Sequence, residues 1–139
     1  MTATFDRAAV QALLDASPFS RFAGLDVVSV DEEALCVTLR MPLRDEFRRA
    51  DDGDMFHGGP VASLIDTAGD CAVALACGGG VPTVNFRTDY LRPCCGEFLL
   101  AEASVRRAGR SLAVADINIV DAQQRLCAVG RGTYRTRVG

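Results

Sequence analysis

Residues 56–72 read FHGGPVASLIDTAGDCA, an apolar stretch that carries the side chains of this chain best suited to chemistry. Asp66 and Asp70 are the only formally charged residues between positions 55 and 84. Helical spacing places Asp66 beside the apolar face and Asp70 on the polar side. A partly desolvated carboxylate with a raised pKa is suited to act as a general base. Asp66 is therefore predicted to be a base or to make a structural hydrogen bond across a subunit contact, and Asp70 to be a solvated or hydrogen-bonded structural residue.

The residues before the aspartates suit the start of a helix that binds a ligand. The first turn of a helix offers unpaired backbone N–H groups and the positive end of the dipole. Glycines at 58 and 59 leave that backbone open to close approach, which suits an oxyanion or a polarised carbonyl oxygen. His57, the only histidine of the chain, precedes them and is placed to donate a hydrogen bond. The alternative is that Gly-Gly-Pro is only a tight helix entry that His57 caps.

A long helix must position these residues. Apolar residues recur at helical spacing from 58 to 77, and three consecutive glycines at 78–80 end the pattern. The spacing predicts a central helix over 58–77. A second helical pattern covers residues 5–16, so we expect an N-terminal helix within residues 1–17 that ends at Ser17-Pro18.

Six β-rich segments surround the central helix. Two precede it, at 25–30 and 34–41, and the polar residues between them predict a hairpin. The polar residues 42–54 then form a loop that delivers the chain to His57. Four segments follow the helix, and the short breaks between them favour antiparallel hairpins and so predict a four-stranded meander. These segments are 82–91, 97–107, 111–120 and 126–135.

The order of elements predicts the fold class. A strand pair, one long apolar helix and a run of strands fit a single α+β domain over residues 1–139. In that domain an antiparallel sheet buries one face by wrapping around the central helix. Such a sheet keeps exposed edges, which favours pairing between chains.

Composition excludes several classes of function. The net charge is −3, and a nucleic-acid partner is not expected because phosphate contact needs a basic face. No charge-free apolar run of about 18 residues is present, so we expect no membrane partner. The six cysteines form no CxxC and are accompanied by one histidine, a poor pattern for a metal site. They fit reduced thiols in a cytoplasmic protein.

Two groups of arginines stand out against this acidic composition. One group precedes the central helix. The other lies at the end of the β segment 97–107 and in the short break that follows it. Each either forms a solvated surface or holds a small phosphate-bearing ligand at one edge. The two groups are Arg44, Arg48 and Arg49, and Arg106, Arg107 and Arg110.

The residues around the helix start resemble a known signature. His57-Gly58-Gly59, followed by Leu64, Asp66 and Ala68, is similar to the HGGxxxxLxDxA pattern of hotdog-fold acyl-CoA thioesterases. The resemblance is to the phenylacetate-degradation (PaaI-like) group of the 4-hydroxybenzoyl-CoA thioesterase superfamily, and it extends over about residues 17–137. The further matching elements are Gly24-Leu25, Thr83-Val84-Asn85, Tyr90-Leu91-Arg92-Pro93 and Arg107-Ala108-Gly109-Arg110-Ser111.

The resemblance implies hydrolysis of an acyl-CoA thioester to a free acid and CoA without a metal or other cofactor. It also implies a homodimer or homotetramer with active sites between subunits. The Gly58 N–H would polarise the thioester carbonyl, with His57 beside it. Asp66 of a partner subunit would activate water or act as nucleophile, and Thr83 would orient the water.

The same resemblance implies substrate contacts at the helix start, on the following strand and at a hairpin that would meet the nucleotide part of CoA. These residues are Phe56, Gly59, Val84, Asn85, Arg107, Gly109, Arg110 and Ser111.

One position departs from the family pattern. The family often has Asn or Gln six residues before the histidine, where this chain has Asp51, a further catalytic candidate. A carboxylate cannot donate to a carbonyl unless it is protonated. Asp51 therefore favours a second hypothesis, an acyl-CoA binding protein of the same fold with little or no turnover. Hydration or dehydration of an enoyl thioester is a third.

Overall fold

The computed structural model describes residues 5–137. Helix α1 spans Arg7–Ala16 and begins at Asp6, whose carboxylate accepts a hydrogen bond from the Ala9 N–H. Of the N-terminal helix expected within 1–17, residues 1–4 lie outside the described part. Helix α1 ends where expected, at Ser17-Pro18, because Ser17 is extended, but a second helix follows at once. The Ser17 hydroxyl caps a second helix, α2 (Pro18–Ala23), in which proline occupies the first turn.

Six antiparallel strands form one sheet in the order β1-β2-β4-β5-β6-β3. Each strand predicted from the sequence is present, with ends that move by one or two residues, and the expected β1–β2 hairpin is confirmed. A short 3-10 turn, Asp45–Phe47, interrupts the loop before the central helix. The strands are β1 (Asp26–Asp31), β2 (Cys36–Pro42), β3 (Thr83–Tyr90), β4 (Phe98–Ala108), β5 (Leu112–Asp121) and β6 (Leu126–Arg135).

The four-stranded meander is wrong, because β3 does not pair with β4. Only β4, β5 and β6 follow one another, and β3 pairs with β6 at the far edge of the sheet. The break after β3 is not a tight turn. The Phe56 N–H donates to the Cys94 carbonyl oxygen at 2.8 Å, and Met55 forms a β-bridge with Cys95. The segment after β3 is thus held by the loop before the central helix, and the chain crosses to β2 before β4 begins.

Helix α3 spans Gly58–Cys77, the range predicted from the apolar spacing, and it ends at Gly78 in the left-handed conformation. Its apolar side packs against the sheet, mainly against β4 and β5, so an α+β hotdog arrangement with the sheet around one long helix is confirmed. By length and composition α3 could cross a membrane, but it is the core helix of this fold, with half of its apolar window buried.

The closest contact between helix and sheet involves Tyr134 of β6. Its ring is fully buried, and its hydroxyl donates to the Asp66 carbonyl oxygen at 3.0 Å. A Cβ at Gly69 of α3 would lie 2.7 Å from Cζ of this ring, and a Cβ at Gly132 of β6 would lie 2.6 Å from it. The glycine in the middle of α3 is therefore required by the tyrosine ring that lies against it.

Candidate active site

His57 caps helix α3 and shapes its first turn. Its Nδ1 accepts a hydrogen bond from the Gly59 N–H at 3.0 Å, and its own backbone N–H donates to the Phe47 carbonyl oxygen at 2.7 Å. Because Nδ1 is an acceptor, the neutral ring carries its proton on Nε2. The exposed imidazole therefore has one N–H available to a ligand beside the helix start.

Gly58 occupies the first position of the helix, where a backbone N–H has no intrahelical acceptor. The Tyr90 hydroxyl donates to the Gly58 carbonyl oxygen at 2.6 Å and so holds the next peptide group, between Gly58 and Gly59. A Cβ at position 58 would lie 3.2 Å from the Tyr90 hydroxyl oxygen, closer than side chains normally pack. Partial burial raises the pKa of Tyr90, so its hydroxyl stays protonated as the donor.

A cleft of about 410 Å³ opens beside this helix start. Its walls come from the loop before α3, from the first turns of α3 and from the chain that follows β3. Most of the lining is apolar, and two arginines contribute positive charge. The lining residues are Arg49, Met55, Phe56, His57, Gly58, Val61, Tyr90, Leu91, Arg92, Pro93 and Cys94.

Asp66 and Thr83 meet at a second place on the molecule. The Thr83 hydroxyl, at the start of β3, donates to Asp66 Oδ1 at 2.7 Å. Asp66 lies eight residues after Gly58 on α3, which separates the two positions by about 12 Å along the helix axis. One chain therefore brings Asp66 and Thr83 together but does not bring them to His57 and Gly58.

Asp70 lies one turn after Asp66 and is half-buried. Its Oδ1 accepts a hydrogen bond from the Val81 N–H at 2.9 Å, as expected of a structural residue. The helical spacing predicts that Asp66 is more enclosed than Asp70. In the structure, Asp70 is itself enclosed enough for burial to shift its pKa. Burial, opposed by the Val81 hydrogen bond and assisted by the Asp66 charge, raises the pKa of Asp70 to about 6. On the side of α3 that the sequence assigns to solvent, residues of α1 and α2 border Asp70 across a small cavity of about 170 Å³.

The predicted CoA contacts lie at the hairpin between β4 and β5. Arg107, Gly109, Arg110 and Ser111 surround this turn, and the Gly109 N–H donates to the Leu112 carbonyl oxygen at 2.8 Å. β-Sheet register places the hairpin at the Thr83 end of β3, through the Leu112–Arg135 and Tyr134–Thr83 pairs. The cleft lies at the Tyr90 end, about 23 Å away along β3. Within one chain, the hairpin and the cleft are therefore separate.

Three further predicted residues are exposed. Val84 and Asn85 lie on the edge strand β3, and Asp51 lies in the turn before α3, outside the residues that line the cleft.

Three members of the two arginine groups have structural partners. Arg44 stacks on Phe22 and Phe47, and Arg48 pairs with Asp45 at 2.9 Å. Arg106 pairs with Asp116 at 3.3 Å. In the part of the chain that the structure describes, Arg49 is the member of the first group that lines the cleft.

The sequence patterns assign no role to Tyr90 or Arg92, and they leave Arg49 as either a solvated side chain or a contact to a phosphate-bearing ligand. A tyrosine that ends an amphipathic strand carries no local signal that it will bond a helix carbonyl 32 residues earlier. Arg49 and Arg92 come from segments that approach each other only because residues 94–95 pair with 55–56. Between residues 5 and 137, no group of three or more His, Cys, Asp or Glu side chains is placed to hold a metal ion.

Residues 53–128 match the thioesterase superfamily. A candidate esterase from Halobacterium salinarum is 36% identical over 140 residues, which cover 92% of this chain and 90% of that protein. The acyl-coenzyme A thioesterase PaaI of Escherichia coli is 36% identical over 118 residues, 78% of this chain and 75% of PaaI.

Solved structures agree with these matches. The E. coli PaaI structure superposes with a TM-score of 0.79 at 29% identity, covering 92% of this chain and 89% of that one. A thioesterase from Haemophilus influenzae superposes with a TM-score of 0.82 at 25% identity, covering 96% and 91%. The shared architecture thus spans nearly the whole chain.

Proposed function

Because this chain belongs to the thioesterase superfamily and is a thioester hydrolase, we propose that its substrates are acyl-CoA esters and that Asp66 activates the water that cleaves them. The E. coli relatives named as acyl-CoA thioesterases, PaaI and the medium/long-chain enzyme YigI, support this substrate class. Thioester and water give a carboxylic acid and the CoA thiol, and this chemistry needs neither a metal nor an organic cofactor.

The observation that carries the proposal is that the cleft reaches the first turn of α3. The Gly58 N–H has no acceptor within the helix and lies at the positive end of the helix dipole. A thioester carbonyl oxygen placed there gains a hydrogen bond that strengthens as negative charge develops on it. His57 Nε2–H lies beside this position as a second donor, and the apolar walls receive the acyl group.

Asp66 supplies the base in this scheme. Its carboxylate accepts a proton from a water molecule as the water oxygen bonds to the thioester carbon. The Thr83 hydroxyl, bonded to Asp66 Oδ1 at 2.7 Å, orients the carboxylate and the water. Collapse of the tetrahedral intermediate breaks the carbon–sulfur bond, and the proton held by Asp66 passes to the departing thiolate. A nucleophilic role for the same carboxylate, through an anhydride that water then hydrolyses, gives the same products.

The separation of Gly58 and Asp66 leads us to propose a site shared by two copies of the chain, in a homodimer or homotetramer. Among the described strands, β3 has β6 on one side and none on the other. Its exposed apolar side chains include Val84 and Phe86. Antiparallel pairing of two β3 strands brings the Thr83 end of one copy to the Tyr90 end of the other.

This pairing also gives the arginines a role. The β4–β5 hairpin of one copy would lie at the rim of the cleft of the other, where Arg107 and Arg110 meet CoA phosphates. Gly109 and Ser111 leave the turn open to the ligand, and Phe56, Gly59, Val84 and Asn85 line the acyl or pantetheine path. We place this activity in the cytoplasm, where the described cysteines, all free, would stay reduced.

The second candidate function is an acyl-CoA binding protein with little turnover. It is favoured by Asp51, which replaces an amide of the family pattern and lies exposed away from the cleft lining. Such a protein binds the ester at the same cleft without releasing thiol.

Thiol release from a panel of aryl and aliphatic acyl-CoAs tests the activity. We expect turnover by the wild type and a loss of about 10²–10⁴-fold in kcat for Asp66→Asn and Asp66→Ala. Asp31→Asn is the matched control, because Asp31 also accepts one hydrogen bond but lies in the remote β1–β2 hairpin. Turnover that persists in Asp66→Ala refutes the mechanism. Binding of every ester without thiol release establishes the second candidate instead.

Subunit complementation tests the shared site. His57→Ala and Asp66→Asn proteins are each expected to be inactive, because both sites of each homodimer carry the lesion. After the two are mixed and allowed to exchange subunits, half of the dimers are mixed, and each holds one intact site. Recovery of about a quarter of wild-type activity is expected. No recovery despite mass-spectrometric evidence of exchange shows that each site is built from one chain.

The proposed pairing of two β3 strands can be tested with a matched control. Phe86→Arg on β3 is expected to give a monomer by light scattering and to abolish thiol release. Val28 lies on β1, the opposite edge strand, and its side chain is 42% exposed against 39% for Phe86. Val28→Arg should therefore preserve both the dimer and thiol release. A dimeric, active Phe86→Arg protein contradicts pairing through β3.

A further inference from the structure

Asp70 joins the end of the central helix to the strand that carries Thr83. Its Oδ1 accepts the Val81 N–H at 2.9 Å, across the loop between α3 and β3. Val81 is buried, and Thr83 follows two residues later with its hydroxyl on Asp66. Asp66 and Asp70 are four residues apart on α3, so two successive turns of the helix hold the two ends of the same three-residue segment.

At its far end this loop is anchored to β6, where the Arg135 N–H donates to the Pro82 carbonyl oxygen at 2.9 Å and Thr83 pairs with Tyr134. The loop begins with Gly78, Gly79 and Gly80, and glycines give the backbone a wide choice of conformations. The register of β3 against β6 shifts between Thr83 and Asn85, so the regular alternation of the strand does not set the direction of the Thr83 side chain. The hydrogen bond from Val81 to Asp70 anchors the loop to α3 next to its anchor on β6, so the two together set where Thr83 points.

The charge of Asp70 contributes to this hydrogen bond. An amide N–H bonds an ionised carboxylate about twice as strongly as a neutral acceptor. The ionisable groups that face Asp70 are Asp66, Cys71 and Cys77 on its own helix and Tyr134 on β6. Helices α1 and α2 add only apolar and hydroxyl side chains to the cavity wall beside it. No described cation lies among these neighbours, so the charge on Asp70 is stabilised mainly by the Val81 N–H.

We propose that Asp70 is a positioning residue for hydrolysis: its ionised carboxylate holds the segment from Val81 to Thr83 so that the Thr83 hydroxyl stays on Asp66. This proposal rests on Asp66 as the proposed base. Protonation of Asp70 weakens the bond to Val81, loosens the segment and lowers kcat without changing the cleft that binds the ester. Burial raises the pKa of Asp70 to about 6, so this protonation occurs near pH 6.

The test compares Asp70→Asn and Asp70→Ala with the wild type by kcat, KM and pH profile. Asparagine keeps an acceptor for the Val81 N–H but not the charge, so kcat at pH 8 should fall about threefold. Alanine removes both, so kcat should fall about tenfold, with KM changed less than twofold in either variant. The wild-type kcat should decline through pH 6 toward the Asp70→Asn value, and Asp70→Asn should lack that decline. Asp31→Ala, which removes a carboxylate that accepts the Ala34 N–H at 2.9 Å in a remote hairpin, should behave as wild type.

Amide hydrogen exchange of residues 78–84 measures the same effect without substrate. Exchange of the Val81 amide should quicken in the order wild type, Asp70→Asn, Asp70→Ala, and remain unchanged in Asp31→Ala. Wild-type kcat in Asp70→Ala, unaltered exchange of this segment, or a decline at pH 6 that persists in Asp70→Asn overturns the proposal. Asp70→Asn carries the test if the alanine variant does not fold.

Failure of the proposed function gives a different result. If the wild type releases no thiol from any ester, or Asp66→Asn keeps full activity, the role of Asp66 is wrong. The exchange measurements then still decide whether Asp70 holds the loop.

Discussion

Gly69→Ala tests whether the buried tyrosine ring dictates the sequence of the central helix. At an exposed position inside a helix, this substitution stabilises by about 1 kcal/mol, because alanine has the higher helix propensity. Here the new methyl group meets the Tyr134 hydroxyl and lies 2.7 Å from Cζ and 3.0 Å from Cε2. Both groups are buried, so either the ring or the helix must move.

The opposing contributions can be compared. Overpacking a core position costs about 1–3 kcal/mol, and displacing the Tyr134 hydroxyl from the Asp66 carbonyl oxygen adds about 1–3 kcal/mol for a lost buried hydrogen bond. After the gain in propensity, Gly69→Ala should destabilise by about 1–5 kcal/mol, with about 3 kcal/mol at the centre of this range. For a domain of this size that corresponds to a decrease in Tm of about 10 °C.

Calorimetry and urea unfolding measure this change. Gly80→Ala is the control, because its Cβ would make only an ordinary 3.5 Å contact with Leu13. The penalty of Gly69→Ala should shrink by about 1 kcal/mol in a Tyr134→Phe background, since the hydroxyl that meets the methyl group is gone. A Gly69→Ala protein as stable as the wild type, or an equal penalty in both backgrounds, refutes the contact as the reason for the glycine.

Two further predictions concern the helix start and the buried carboxyl. Tyr90→Phe removes the hydroxyl that bonds Gly58, so kcat should fall about three- to tenfold in the thiol-release assay while stability drops by about 1 kcal/mol in urea unfolding; an unchanged kcat would show that the helix start is fixed without it. The folded-state pKa of Asp70, about 6, exceeds the ordinary aspartate value of 3.8, so the folded state binds the extra proton and stability falls as pH rises from about 4 to 6. Asp70→Asn should therefore raise Tm at pH 8 by a few degrees and abolish that part of the pH dependence, and a lower Tm at pH 8 would contradict the direction of the shift.

Local patterns predict most elements of this fold. The apolar spacing from 58 to 77 coincides with α3, and each β-rich segment became a strand, because periodicity records which face of an element is buried. Pairing partners are not local. The short connection of β3 to β4 suggests a hairpin, yet hydrogen bonds between residues 55–56 and 94–95 direct the chain elsewhere. The second helix, α2, was missed because Pro18 is as compatible with starting a helix as with ending one.

The features of the candidate site also divide into those that local sequence predicts and those that depend on the assembled fold. The cap at His57 and the glycine turn follow from sequence, because N-capping depends on adjacent residues. The environments of Asp66 and Asp70 do not, since helical projection cannot show that residues of α1 and α2 lie across a small cavity from Asp70. The bond of Tyr90 to Gly58 and the ring of Tyr134 against Gly69 depend on the strand order, which only the assembled sheet defines.

The place of β3 beside β6 has a consequence for synthesis of the protein. β3 emerges from the ribosome about 40 residues before β6, the strand it pairs with, so its apolar side chains wait while β4 and β5 are made. Until β6 arrives, both edges of β3 are open in the nascent chain, and pairing with another copy at that stage would compete with folding. The strand that we propose to join finished subunits is therefore also a segment with unpaired edges during translation.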